Sequence, residues 1–185
     1  HDVWRWLLAA QWARIGQEEA FVGRTAEAGD ELGSRVVAAR IVRDLVRLCF
    51  LLERSYAPYS KWLGVAFSRL AAAAELSLSL GAALSAEAYP AREAALVEAY
   101  ERVAHRQNLL ALTRSVDPTV RLYHGRPYRV LGASRFAEAC IEAITDLDLQ
   151  GLPLVGSVDQ WVDCTDVLSH GDRAHRLTGW YRQLK

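Results

Sequence analysis

The sequence predicts an all-α fold, a helical bundle with a small non-helical clasp or hairpin near residues 119–131. Three observations predict it. Between Glu31 and Arg54 the apolar residues recur at helical spacing with no proline to interrupt them. The same spacing returns over residues 2–24, 89–112 and 134–144. Only residues 117–131 leave that period, where Val120-Arg121-Leu122-Tyr123 and Tyr128-Arg129-Val130-Leu131 flank the turn residues His124-Gly125-Arg126-Pro127. A chain of 185 residues, 51% hydrophobic and 24% charged, is long enough for one good core. The expected order is a main bundle over 1–116, the clasp over 117–133 and closing helices over 134–185, all in one helical domain.

Charge and cysteine content narrow the function classes. Basic and acidic residues number 22 each, so no overall positive field favours nucleic acid as a partner. Cys49, Cys140 and Cys164 form an odd set without CxxC spacing, which reads as three reduced thiols in a cytoplasmic protein. No apolar run approaches the ~20 residues that cross a bilayer, and the N-terminus lacks a signal-peptide layout. The chain starts at His1 and contains no methionine, which reads as part of a longer protein.

Asp2 is placed to cap a first helix reaching about Arg24, with Trp4, Leu8, Ile15 and Val22 along one side. Gln11, Glu18 and Glu19 fall on or beside that apolar side. A carboxylate there is expected either to meet an arginine of the next helix or to serve as a general base. Gly29 and Asp30 then open the central helix as turn and cap. Ile41, Leu45, Leu48, Cys49 and Leu52 share an arc of about 120° at ~100° per residue. Arg40, Arg43, Arg47 and Arg54 share a second arc, roughly opposite and about 60° wide. This arginine rail has three readings: a solvated face where Asp44 pairs with Arg40 and Arg47, an internal match to acids elsewhere, or a site for carboxylate or phosphate.

Pro58 pushes Ala57 out of helical geometry, and Ser60 is placed to cap a helix over Lys61 to about Ala74. Tyr56, Tyr59 and Lys61 at this break form either a pocket rim for an anionic or aromatic ligand or a packed corner. Alanine-rich 71–88 reads as short helices around Gly81. Tyr89-Pro90 starts a long helix to about Leu112, with Leu96, Tyr100, Val103, Gln107 and Leu110 inward and His105 on the surface. Arg102 and His105 are too close together for the arginine–histidine motif of helical ribonucleases. Ser134 is expected to cap a helix to about Ile144. Gly132…Ser134 followed by Asp146-Leu147-Asp148 echoes a nucleotidyltransferase metal signature, but without the sheet strand that signature needs.

Ser157 and Gln160 read as a capping box, opening a helix that would align Asp159, Asp163 and Asp166 at i, i+4 and i+7. That line is a solvated face, a match to the arginine rail, or a magnesium-binding edge. The tail, Asp172 to Lys185, reads as one more amphipathic helix capped by Asp172. His170 and His175 have no histidine or cysteine partner at ligand spacing, so no metal site is assigned.

The runs QEEAFVGR (17–24), GDELGSRVVAARIVRDLVRLCFLLERSYAPYSKWLG (29–64), RPYRV (126–130) and GSVDQWVDCTDVL (156–168) resemble a bacterial family, domain of unknown function 4037, over nearly the whole chain. The resemblance implies the helical C-terminal part of a protein whose N-terminal domain is nucleotidyltransferase-like. That N-terminal domain would be the partner, and it would bring Mg²⁺ and a nucleoside triphosphate to the full-length protein, with no cofactor in this chain. By analogy with antibiotic nucleotidyltransferases, the helical part would form the substrate side of the cleft and be inactive alone. Glu18 or Glu19 would be the base. Arg40, Arg43, Arg47 and Lys61 would hold phosphate or an acidic substrate, a small molecule or a nucleotide, and Tyr56 and Tyr59 would stack on it. The alternative is a non-catalytic structural or dimerisation module, a homodimer included, whose Arg and Asp faces pair internally.

Overall fold

A computed structural model describes residues 1–183. It is built on α3 (Glu31–Leu52), which packs against α1 (Asp2–Glu18), α2 (Phe21–Glu27), α4 (Ser60–Phe67), α5 (Ala73–Ser85) and α6 (Tyr89–Leu109). Its start follows from two neighbouring residues: Gly29 takes the left-handed turn (φ +76°), and the Asp30 carboxylate accepts the Gly33 N–H at 2.7 Å. Ile41, Leu45, Leu48, Cys49 and Leu52 are all buried, as their shared arc predicts. They meet Leu8, Trp12 and Ile15 of α1, Leu76 of α5 and Leu96, Tyr100 and Val103 of α6 in one continuous apolar core.

The helix ends at Leu52 in a Schellman turn, with Arg54 left-handed (φ 53°) and the Ser55 N–H bonded to Phe50 O at 2.8 Å. Arg54 therefore leaves the arginine rail. Its guanidinium sits 3.9 Å from the Trp4 ring centroid instead.

The first helix does not reach Arg24. It ends at Glu18, and after a turn at Glu19-Ala20 the separate helix α2 begins at Phe21. Nor does Asp2 cap it: His1 is the N-cap, and the Asp2 carboxylate accepts from Thr145 N (2.8 Å), Asp146 N (2.9 Å) and Arg5 (2.8 Å). These bonds hold its pKa well below the usual carboxylate range and tie the chain after α7 to the first turn of α1.

Between residues 60 and 88 the expected order shifts. Tyr59, not Ser60, is the N-cap of α4, which stops at Phe67, and α5 runs unbroken through Gly81. Helix α6 follows its expected inward face, with His105 exposed.

The clasp is a short antiparallel hairpin, β1 (Arg121–Leu122) with β2 (Arg129–Val130), in register Arg121 to Val130. α7 (Ser134–Glu142) then lies along α1. Ser134 makes no cap bond; Ala133 is the N-cap, and the capping carboxylate comes from Glu19. After α8 (Leu147–Gln150), the expected helix beyond Ser157 is two short ones, α9 (Val158–Trp161) and α10 (Thr165–Leu168), separated by extended backbone at Val162 and Cys164. Asp159, Asp163 and Asp166 therefore do not share one helical line.

The tail forms α11 (Gly171–Leu177), with His170 and not Asp172 as N-cap, and α12 (Gly179–Arg182). The remainder of the predicted tail helix, 184–185, lies outside the described residues. No helix among them is long and apolar enough to cross a membrane.

Candidate functional site

A cleft of about 520 Å³ opens between the N-terminal half of α1, the C-terminal half of α3 and the turn that starts α9. Trp4 and Leu7 come from α1, Phe50 and Leu51 from α3, and these make most of its surface apolar. The Trp4 indole is fixed by a 2.7 Å bond to Leu51 O and by Arg54 stacked on its face.

Behind the apolar wall lies a buried polar seam. Asp44, 1% exposed, accepts from Arg14 Nε at 3.1 and 3.0 Å and from Gln11 Nε2 at 3.3 Å. Its partner is thus across the α1–α3 interface and not Arg40 on its own helix. Gln160 closes the seam from the third side. Its Nε2 donates to Leu7 O (3.0 Å) and Gln11 Oε1 (3.2 Å), and its Oε1 accepts the Ser157 N–H (2.9 Å), the return half of the capping box. Gly156 makes room for that side chain: its φ is +76°, and a Cβ there would stand 2.1 Å from Gln160 Oε1.

Arg47 is the exception to this satisfaction. It lines the cleft at 5% exposure, and one long bond, Nη1 to Gln160 O at 3.4 Å, is its hydrogen bond among the described residues. Burial and the Arg43 charge push its pKa down, against the opposite pull of Asp159 and Asp44. Arg43 reaches Asp163 at 2.6 Å near the surface, and Arg40 pairs with Glu18.

The residues singled out in the sequence therefore fall into three places. Arg47 and Tyr56 line the cleft, with Tyr56 74% exposed at its rim. Tyr59 and Lys61 lie beyond it, Tyr59 as the N-cap of α4 and Lys61 in its first turn, where the Lys61 ammonium stands 5.1 Å from the Trp62 ring centroid. Glu18 and Glu19 lie about 10 Å along α1 from Gln11 by helical rise. Glu18 meets Arg40 with one oxygen, and its Oε2 is sealed without a partner.

Glu19 is buried beneath the clasp, accepting backbone N–H groups of Leu131 (2.8 Å), Gly132 (3.1 Å) and Ala133 (2.9 Å). Burial pushes its pKa up, and the three N–H groups together with the Arg135 charge pull against that. Residues that sequence reasoning did not place at the site are Trp4, Arg14 and Gln160. A signal existed for the seam: Gln11 and Asp44 are polar positions bordering apolar stripes.

Residues 1–63 match the family model of a domain of unknown function, DUF4037. The matched segment spans α1 to α3 and enters α4, so it carries two walls of the cleft and all the singled-out residues from Glu18 to Lys61. The runs 126–130 and 156–168 lie outside it, so the similarity is narrower than the sequence suggested. No curated protein and no solved structure matches the chain.

Proposed function

We propose that this chain is the helical part of a bacterial nucleotidyltransferase-like protein and forms the substrate side of a cleft that a second, N-terminal domain completes. One observation carries the reading: the α1–α3–α9 cleft presents a mostly apolar wall and a buried guanidinium with a single weak partner. Its volume lies in the range of small-molecule sites. Among the described residues no three His, Cys, Asp or Glu side chains are grouped to hold a metal ion. Mg²⁺ and a nucleoside triphosphate belong, in this reading, to the N-terminal domain. The three free cysteines are compatible with a cytoplasmic setting.

This placement keeps Arg47 and Tyr56 among the expected substrate contacts, adds Trp4, and leaves Glu18 and Glu19, the expected base, away from them. Glu19 accepts three backbone N–H groups and acts as a structural tie; a general base needs free access to a substrate proton.

A second reading, a non-catalytic structural or dimerisation module, is favoured by the internal pairs Arg14–Asp44, Arg40–Glu18 and Arg43–Asp163. Thermal shift against nucleotides and aminoglycosides, with and without Mg²⁺, separates the two. A metal-independent rise of about 3 °C or more with one ligand class supports the substrate-side reading. A panel that is flat throughout favours the structural one.

A further inference from the structure

We infer that the α1–α3–α9 cleft binds an organic anion, a carboxylate or phosphate monoester joined to an apolar or aromatic body, with Arg47 holding the anionic group. This rests on the reading of the cleft as a ligand site and adds the ligand's class.

Most polar groups that face the cavity already have partners within the protein. Gln11 and Gln160 bond each other, and Gln11 also bonds Asp44. The Ser157 hydroxyl donates to Asp159 Oδ1. Arg54 is engaged by the Trp4 face and, at 3.3 Å, by the His1 ring. That leaves Arg47. A guanidinium fork is suited to two parallel bonds from a carboxylate or phosphate, yet this one makes one bond of 3.4 Å to a neutral carbonyl.

The carboxylates nearest in charge, Asp44 and Asp159, do not form ion pairs with it; Asp44 is taken by Arg14. Unlike Arg92 Nε, its remaining N–H groups are not sealed in the protein; they open on the cleft, where an anion would take the place of water. The cavity beside it has the room and the wall for the rest of a ligand, Trp4, Leu7, Phe50 and Leu51 supplying apolar contact. Asp159, on the same rim, opposes an incoming anion and sets the affinity lower than Arg47 alone would give.

The test is calorimetric titration of the whole chain with a matched set: 2-naphthyl phosphate, 2-naphthoate, neutral 2-naphthol and inorganic phosphate. One or both naphthyl anions should bind, at least about 10-fold more tightly than 2-naphthol or inorganic phosphate, and the preferred one separates phosphate from carboxylate recognition. Arg47→Met should lose about 10-fold or more in affinity for the preferred anion. Asp159→Asn should gain about threefold, a change of opposite sign that a misfolded protein would not show.

Equal binding of 2-naphthol, or unchanged affinity in Arg47→Met, overturns the inference. So does a wild-type chain that binds neither naphthyl anion. If the cleft instead takes a neutral ligand or a cationic aminoglycoside, the inference falls while the substrate-side reading stands. If that ligand panel is flat as well, both fall.

Discussion

Arg47 and Arg92 are two buried arginines on helices that pack against each other, and the fold treats them in opposite ways. Arg92, 0% exposed, donates to Ser34 Oγ at 2.8 Å and Ala86 O at 3.1 Å and forms an ion pair with Glu31, although its Nε is sealed without a partner. These bonds tie the start of α6 to the start of α3. Arg47 has a single 3.4 Å bond and faces a cavity. A buried charge enclosed by good partners is explained by the fold itself. One left almost bare beside an open cleft is not, and this is why the site is placed at Arg47 and not along the whole rail.

Substitution at Arg92 should cost the fold most. Arg92→Met should lower folding stability by about 3 kcal/mol, because Ser34 and Ala86 O lose their charged donor inside the protein. Urea unfolding measures it, and a loss below about 1 kcal/mol would remove the contrast with Arg47. The pair also has an acid signature. Hydrogen bonds from Arg92 and Arg35 hold the Glu31 carboxyl down to about 2, against an ordinary 4.5. A depressed carboxylate pKa contributes stability that is fully present above the ordinary value and is lost as pH falls through the folded one. Stability of the wild-type chain should therefore decline between about pH 4.5 and 2, and Arg92→Met should show a shallower slope in that window.

Glu19 gives the next largest expected effect, as a second buried charge that is well satisfied. Glu19→Gln keeps the shape but turns an amide N–H₂ toward at least one of the backbone donors at Leu131, Gly132 and Ala133. The cost should be about 2 kcal/mol. Hydrogen exchange should report it as earlier opening of the clasp and the start of α7, with α3 still protected. Uniform loss of protection would mean that Glu19 supports the whole bundle and not the clasp.

The two arginines also mark where the sequence could be read and where it could not. The central helix was legible because its signals are local: the Asp30 cap, the apolar arc from Ile41 to Leu52 and the absence of proline act within one segment. The clasp was legible for the same reason, as the only break in period. What was not legible depends on partners far along the chain. Glu19 reads as a charge on an apolar helix until its donors, more than 110 residues later, are in view. The expected aspartate line fails because Val162 and Cys164 are extended, which divides the helix.

Arg92 did carry a trace, since it precedes Leu96 and Tyr100 at i, i+4 and i+8 on the inward stripe of α6. A charged residue in that register is a sequence sign of a buried, partnered group. For Arg47 the sequence marks only the rail; that Arg40 and Arg43 find partners while Arg47 does not is settled by where Glu18 and Asp163 come to lie.

Two smaller effects sharpen the contrast. Arg47→Met should change stability by less than about 1 kcal/mol, in either direction, since exchanging a poorly partnered buried charge for an apolar side chain of similar length removes a desolvation penalty along with a weak bond. A loss approaching that of Arg92→Met, read in the same urea series, would make Arg47 a structural residue and take away the ground for a ligand there.

The smallest change is expected at Arg43. Its partner Asp163 is 68% exposed in its side chain, and Arg43 itself is 24% exposed. A pair so wet gains little Coulomb energy and is screened by salt. Arg43→Ala should therefore lie within about 0.5 kcal/mol of wild type, the difference shrinking further in 1 M NaCl. The double variant Arg43→Ala with Arg47→Ala then becomes the sharpest comparison of all. If the rail is a structural element, its two losses should be large and coupled. If only Arg47 faces a ligand, the double variant should stay folded, keep a melting temperature close to that of Arg47→Ala alone, and differ from wild type chiefly in binding.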